Sequence, residues 1–161
     1  MNSFPSITGV IAAVHSLADD RGNDLCSFLL DIQSADGPVS LLLTSSTYVY
    51  DCECLENGDS ITAFYDPNAP VPLIYPPRYT ALVIVKTENG TQAALDVFDE
   101  TLTNSDGTLR LNPDQHTDIT TPNGQKIHGS LGGHMLLVLF SASTKSIPAL
   151  AVPKDIVVFC G

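Results

Sequence analysis

Apolar and polar positions alternate in short runs along most of the chain, and the period is that of strands rather than helices. Runs at 7–16, 26–34, 39–43, 60–65, 80–86, 91–98, 101–103, 109–111, 134–140 and 155–160 predict ten strands. Most are bounded by turn sequences such as DDRGN, ADG, ENG, NSDG and PNG. No long apolar stripe at i, i+3, i+4, i+7 appears, and eleven prolines and eleven glycines are spread through the connections. The pattern predicts an all-β protein with little helix.

The pattern also repeats. FLLDIQSADGPVSLLLTSSTYV (28–49) lies over FDETLTNSDGTLRLNPDQHTDI (98–119) without a gap. Phe28 then meets Phe98, Ile32 meets Leu102, Asp36-Gly37 meets Asp106-Gly107, Leu41 meets Leu111 and Thr47 meets Thr117. Further on, GDSITAFY (58–65) lies over GHMLLVLF (133–140) and PLIYPPR (72–78) over PALAVPK (148–154), and both copies then end in a β-branched strand, ALVIV (81–85) and DIVVF (155–159). Each copy carries two alternating runs around an Asp-Gly, a strong hairpin signal.

A long first strand, a hairpin, an irregular third connection and a Gly-Asp-led strand give the first copy an OB-like or small-barrel rhythm. The expected architecture is therefore two fused β-barrel modules, 1–86 and 80–161, from an internal duplication. The strand 80–86 is shared between them, and Asn89-Gly90 turns directly into the second copy. The stretches YPPRYTALVIV (75–85) and STKSIPALAVP (143–153) resemble an uncharacterised family of small acidic bacterial β-proteins. That resemblance implies a β-fold and no particular chemistry.

Charge then narrows the functions. Seven basic against eighteen acidic residues leave a net of −11, and the deficit holds in both halves, so neither offers a basic face to a phosphate backbone. MNSFPSITGV lacks the basic and apolar regions of a secretory signal, and no apolar run approaches the ~18 residues that span a bilayer. The expectation is a cytoplasmic protein with reduced cysteines and no membrane or nucleic-acid partner.

The candidate chemistry is sparse. Cys52-Glu53-Cys54 could present two thiols on one strand face, but Cys26 and Cys160 stand apart, and buried apolar thiols are the expected reading. His116, His128 and His134 with Asp114 match no ligand spacing, so no metal is expected. The segment around Asp106-Gly107 fails as a calcium loop because Leu102 falls where a carboxylate is needed. Asp19, Asp20, Asn23 and Asp24 read as an acidic, solvated hairpin tip. Gly129–Gly133, GSLGG, reads as a turn or bulge before a strand. No cofactor motif is present.

What remains is the pair of proline-rich loops, 66–79 and 141–153, each expected between the last two strands of its copy. Tyr75, Pro76, Pro77, Arg78, Tyr79, Lys145 and Lys154 are the expected binding residues. Stiff loops and tyrosines lower the ordering cost of recognition. With Lys86, the loops hold four of the seven basic residues. The expected function is non-enzymatic, a binding or assembly module acting on a protein partner or a second copy of itself. The alternatives are a small hydrolase-like enzyme with a site between the modules and an OB-type single-strand nucleic-acid binder.

Overall fold

The computed structural model describes residues 4–18, 20–22, 25–88 and 90–160, and within them the chain is all-β. Asp19, Asn23 and Asp24 of the expected acidic tip, and Asn89 of the expected Asn-Gly turn, lie outside the described residues. Two compact units divide the chain, one of Pro5–Glu88 and one of Asn89–Gly161 together with Met1–Phe4. No helix is long and apolar enough to cross a membrane among the described residues.

The first unit is a closed barrel. Its strands are β1 (Ser6–Ser16), β2 (Phe28–Ser34), β3 (Gly37–Leu43), β4 (Tyr48–Val49), β5 (Ser60–Tyr65) and β6 (Arg78–Lys86). β1 pairs antiparallel with both β2 and β5, β2 with β3, and β5 with β6. A parallel ladder of Ser40–Leu42 on Arg78–Thr80 joins β3 to β6 and closes the ring. β1 serves two neighbours because its register slips between Ile11 and Ala13, the kind of bulge that turns a strand round a barrel corner. Gly9 lies close against β2, and a Cβ there would stand 2.4 Å from the Gln33 carbonyl oxygen. The two-residue hairpin loop Ala35-Asp36 hands over to Gly37, whose φ of 111° only glycine takes readily.

Alternation decides what fills the ring. Ile11, Leu30, Ile32, Leu41, Ile61, Ala63, Ala81 and Ile84 point inward and are buried, with Val39, Val49, Leu55 and Tyr79 packed on them. Six buried Leu or Ile side chains of this kind each contribute on the order of 2 kcal/mol.

The second unit repeats the pairing scheme in shortened form. β7 (Gln92–Val97), β10 (Met135–Phe140), β12 (Asp155–Phe159) and β9 (Asp118–Thr120) form one sheet, in the places of β1, β5, β6 and β4. β8 (Leu109–Leu111) pairs in parallel with β11 (Ala149–Ala151), as β3 does with the start of β6. The core is Phe98, Leu109, Leu111, Leu131, Leu136, Val138, Phe140, Ala151, Ile156 and Val158.

These ladders correct several expected correspondences. Phe98 N–H donates to the His134 carbonyl as Ile11 N–H does to that of Asp59, and Gly133 and Gly58 donate back, so Phe98 takes the place of Ile11 and not of Phe28. No strand among the described residues corresponds to β2. The expected strand 101–103 is instead irregular, with Leu102 at a φ of 59°. Val138 opposite Ile156 matches Ala63 opposite Ile84, which moves the last strand four residues from the register set by PLIYPPR over PALAVPK. An even shift preserves which face is buried, so apolar pattern alone could not reveal it. Pro148 then stands opposite Pro76 rather than Pro72, and both follow cis peptide bonds. The short strands β4, β9 and β11 were not predicted, since two or three residues carry no readable alternation. The ladder partners of β6 are β3, β4 and β5, all within Pro5–Glu88.

Thr47 and Thr117 make similar pairs of hydrogen bonds. Thr47 Oγ1 accepts the Thr44 N–H at 3.0 Å and donates to the Ala81 carbonyl at 2.8 Å. Thr117 Oγ1 accepts the Asp114 N–H at 3.1 Å and donates to the Pro153 carbonyl at 2.6 Å. Each hydroxyl thus ties a turn to the start of the last strand. Thr47→Val and Thr117→Val should each cost about 1–2 kcal/mol by denaturant unfolding, because the isosteric methyl satisfies neither bond. Losses indistinguishable from zero would show the turns are held by packing instead.

Candidate functional site

The connection between β5 and β6 is ruled by its prolines. Pro67, Pro70, Pro72, Pro76 and Pro77 each fix φ and remove a backbone donor, so this loop spends few backbone bonds on itself. Asp66 takes the Asn68 N–H at 2.8 Å, and the Ile74 N–H reaches the Pro72 carbonyl at 2.9 Å. The apolar side chains are turned outward: Val71 and Ile74 are exposed, Tyr75 is 81% exposed and Leu73 fully so. A run of this kind in a single loop is unusual for a surface that meets only water.

The base of the loop stands between two clefts. One, of about 750 Å³, is walled by Ile7, Tyr65, Ile74, Tyr75, Pro77 and Tyr79, with Ser34 and Asp36 at its edge. The other, of about 490 Å³, lies against the outer face of β2 and β3 and includes Leu29, Asp31, Gln33, Ser40, Tyr75 and Arg78. Tyr75 borders both.

The predicted residues separate into different roles. Tyr79 stacks on Tyr65 with centroids 4.3 Å apart, and packs on the barrel core. Burial, and then the neighbouring Tyr79, push the Tyr65 phenol upward. The Pro77 carbonyl accepts the Ser40 N–H at 2.8 Å, which anchors the loop to β3. Arg78 begins β6, and its buried Nε has no hydrogen-bond partner among the described residues. Lys145 and Lys154 belong to the other unit, where both are exposed. Lys86 leaves the expected basic set: its ammonium lies 3.2 Å from Asp59 and 3.3 Å from Glu53, which hold its pKa up.

In the second unit the corresponding loop, between β10 and β11, also ends in an exposed apolar residue before its proline. Ile147 is 91% exposed, with Leu150 and Val152 exposed beyond it. Ser146 Oγ donates to the Pro148 carbonyl at 2.9 Å, and the Leu150 N–H donates to Thr144 Oγ1 at 2.9 Å.

The cysteines differ from expectation. All four are free and exposed, and Cys52 lies in a left-handed turn (φ 51°, after Asp51 at 61°) rather than on a strand, so strand alternation cannot place the Cys52 and Cys54 thiols together. Cys54 edges an apolar cleft of about 290 Å³ at the barrel end closed by Val49 and Leu55. His116 and His128 are exposed and His134 half-buried. Among the described residues no three His, Cys, Asp or Glu side chains gather around one point that could hold a metal.

Two titratable features escaped the sequence reading. His15 Nε2 lies 2.8 Å from an Asp31 carboxylate oxygen, a pairing between strands that linear spacing does not announce. Asp96 is buried on β7 at the place of Gly9, and it accepts the Ser105 hydroxyl at 2.9 and 3.0 Å and the Val97 N–H at 2.7 Å. Burial raises its pKa, against the lowering by these donors.

No protein-family model, curated protein or solved structure matches the chain.

Tyr79→Ala should cost about 2–3 kcal/mol in chemical unfolding, whereas Tyr75→Ser should stay within about 0.5 kcal/mol of the parent. Equal losses would mean that Tyr75 is structural too. A carboxyl whose folded pKa is raised contributes stability below the unfolded carboxylate range, and loses it as pH rises through the folded value. Asp96→Asn keeps an oxygen for Ser105 but cannot ionise. It should therefore hold its stability better than the parent from about pH 4 to pH 7. Parallel urea midpoints across that range would refute this.

Proposed function

We propose that the chain is a non-enzymatic binding module, and that the loop between β5 and β6 is its recognition surface. The observation that carries this reading is the outward-turned set Val71, Leu73, Ile74 and Tyr75 on a loop stiffened by five prolines. Exposed apolar side chains on a backbone with little freedom left to lose make a low-cost contact surface. The barrel order β1-β2-β3-β6-β5, with β3 parallel to β6, supports reading the first unit as an OB-fold. In that fold this loop and the face of the second and third strands are frequent binding positions. The second unit, with matching ladders and Ile147 at the place of Tyr75, supports reading the two as copies of one module, Lys145 and Lys154 lending charge to the second loop.

The partner we infer is a protein or a second copy of the chain. A nucleic-acid strand is disfavoured by the net charge of −11 and by Asp31 beside Arg78 on the outer face. The hydrolase reading draws little from His15, Asp31 and Ser40, since the ladder sets Asp31, and not His15, opposite Ser40. A nucleophilic serine needs the imidazole as its neighbour. Four exposed free thiols fit a reducing compartment, which supports a cytoplasmic location.

The test replaces Leu73 and Tyr75 together by serine and leaves Tyr79 in place. Sedimentation of the purified chain and affinity capture should lose self-association or partner recovery, with the unfolding midpoint unchanged. Identical sedimentation and capture profiles in parent and variant would remove the loop from the function.

A further inference from the structure

Arg78 carries a guanidinium nitrogen that no described residue of its own chain satisfies. Ladder pairing sets Asp31 opposite Ser40 and Ser40 opposite Arg78, a polar row across β2, β3 and β6 on the outside of the barrel. The Arg78 Nε is buried and has no hydrogen-bond partner among the described residues, although Asp31 lines the same cleft. Asp31 is engaged instead by His15 at 2.8 Å. A buried guanidinium N–H left unpaired is costly, and native proteins retain such groups mostly where something else satisfies them.

We propose that the cleft of about 490 Å³ takes the carboxylate of an apolar monocarboxylic acid, with Arg78 as its counter-ion. This rests on reading the loop between β5 and β6 as a binding surface, and names the chemistry of its ligand. The guanidinium offers its donors in a planar fork that matches a carboxylate. Ser40 adds a hydroxyl beside it, while Leu29, Ile74 and Tyr75 cover an apolar or aromatic remainder. Asp31 sets the selectivity: a second negative charge on the ligand would meet a carboxylate in the same cleft, so polyanions are rejected and a single acid group is accepted. Such an acid is either a free small molecule or the last residue of a peptide with an apolar side chain.

The chain holds three arginines, Arg21, Arg78 and Arg110, so the Nε–H region of a ¹H–¹⁵N spectrum is sparse, and Arg78→Lys identifies the Arg78 signal by its loss. The probes are 3-phenylpropionate, 3-phenylpropanamide, and an acetylated peptide ending in Leu-Phe with its terminus either free or amidated. The Arg78 Nε–H should shift saturably with an acid and stay still with the matching amide. A response confined to 3-phenylpropionate assigns a small-molecule ligand, and a response to the free peptide as well assigns a chain terminus; either supports the proposal. Arg78→Gln, with its backbone spectrum intact, should bind the acid at least about tenfold more weakly. Amides that shift loop residues 71–75 as strongly as acids would overturn the carboxylate assignment while leaving the loop a binding surface. No movement of Arg78 with any probe up to about 10 mM would overturn it outright. Acid binding that survives Leu73→Ser with Tyr75→Ser, alongside unchanged sedimentation and capture, would uphold the carboxylate site and remove the loop reading instead.

Discussion

Three residue pairs, Ser40 with Arg78, Leu41 with Tyr79 and Leu42 with Thr80, close the first sheet on itself, and the features of the candidate site follow from that parallel seam. Closure removes the free edges that an open sheet would present. It also fixes alternation across the join: Leu41 and Tyr79 turn toward the core, while Ser40 and Arg78 turn outward into one row with Asp31. The proline loop must end where this seam begins, because Pro77 bonds Ser40 directly ahead of Arg78. The clefts beside Tyr75 are thus consequences of how the barrel is joined.

The second unit has a similar pairing scheme with one strand fewer. Its parallel pair, β8 with β11, is present, and so is the antiparallel sheet. Between β7 and β8, however, the chain has only the residues 98–108 to spend, against 17–36 in the first unit, and no strand forms there to match β2. The Asp-Gly turn survives in other company. Asn104 Oδ1 accepts the N–H groups of Thr108 and Leu109, both at 2.9 Å, and so holds a tight turn on a shortened arm. Asp96, in place of the glycine that lies close against β2, takes Ser105 from that arm as its partner.

The all-β class and most strand positions were legible because each longer strand buries one face, or both, and the pattern records it. The strands 60–65, 80–86 and 134–140 are of this kind. The last strand was found but misaligned by four residues, an even slip that alternation cannot report. Of the candidate site, the loop was legible through its prolines and tyrosines. The division of labour within it was not, since Tyr75 and Tyr79 are alike in sequence. Only the ladder shows that one stacks on Tyr65 and the other faces solvent. The pairing of His15 with Asp31 and the exposure of the thiols depend on residues brought together from distant positions, and composition carries no trace of either.

The Tyr65–Tyr79 stack has an optical consequence. The chain has no tryptophan, and its five tyrosines, at 48, 50, 65, 75 and 79, all fall within Pro5–Glu88. Near-ultraviolet absorbance and dichroism above the phenylalanine bands therefore belong to one half of the molecule alone. The ring coupling of the stacked pair depends on the strands β5 and β6 staying in register. The protein carries its own spectroscopic label for the integrity of that barrel, while the other unit, with phenylalanine as its only aromatic, stays nearly silent in the same window.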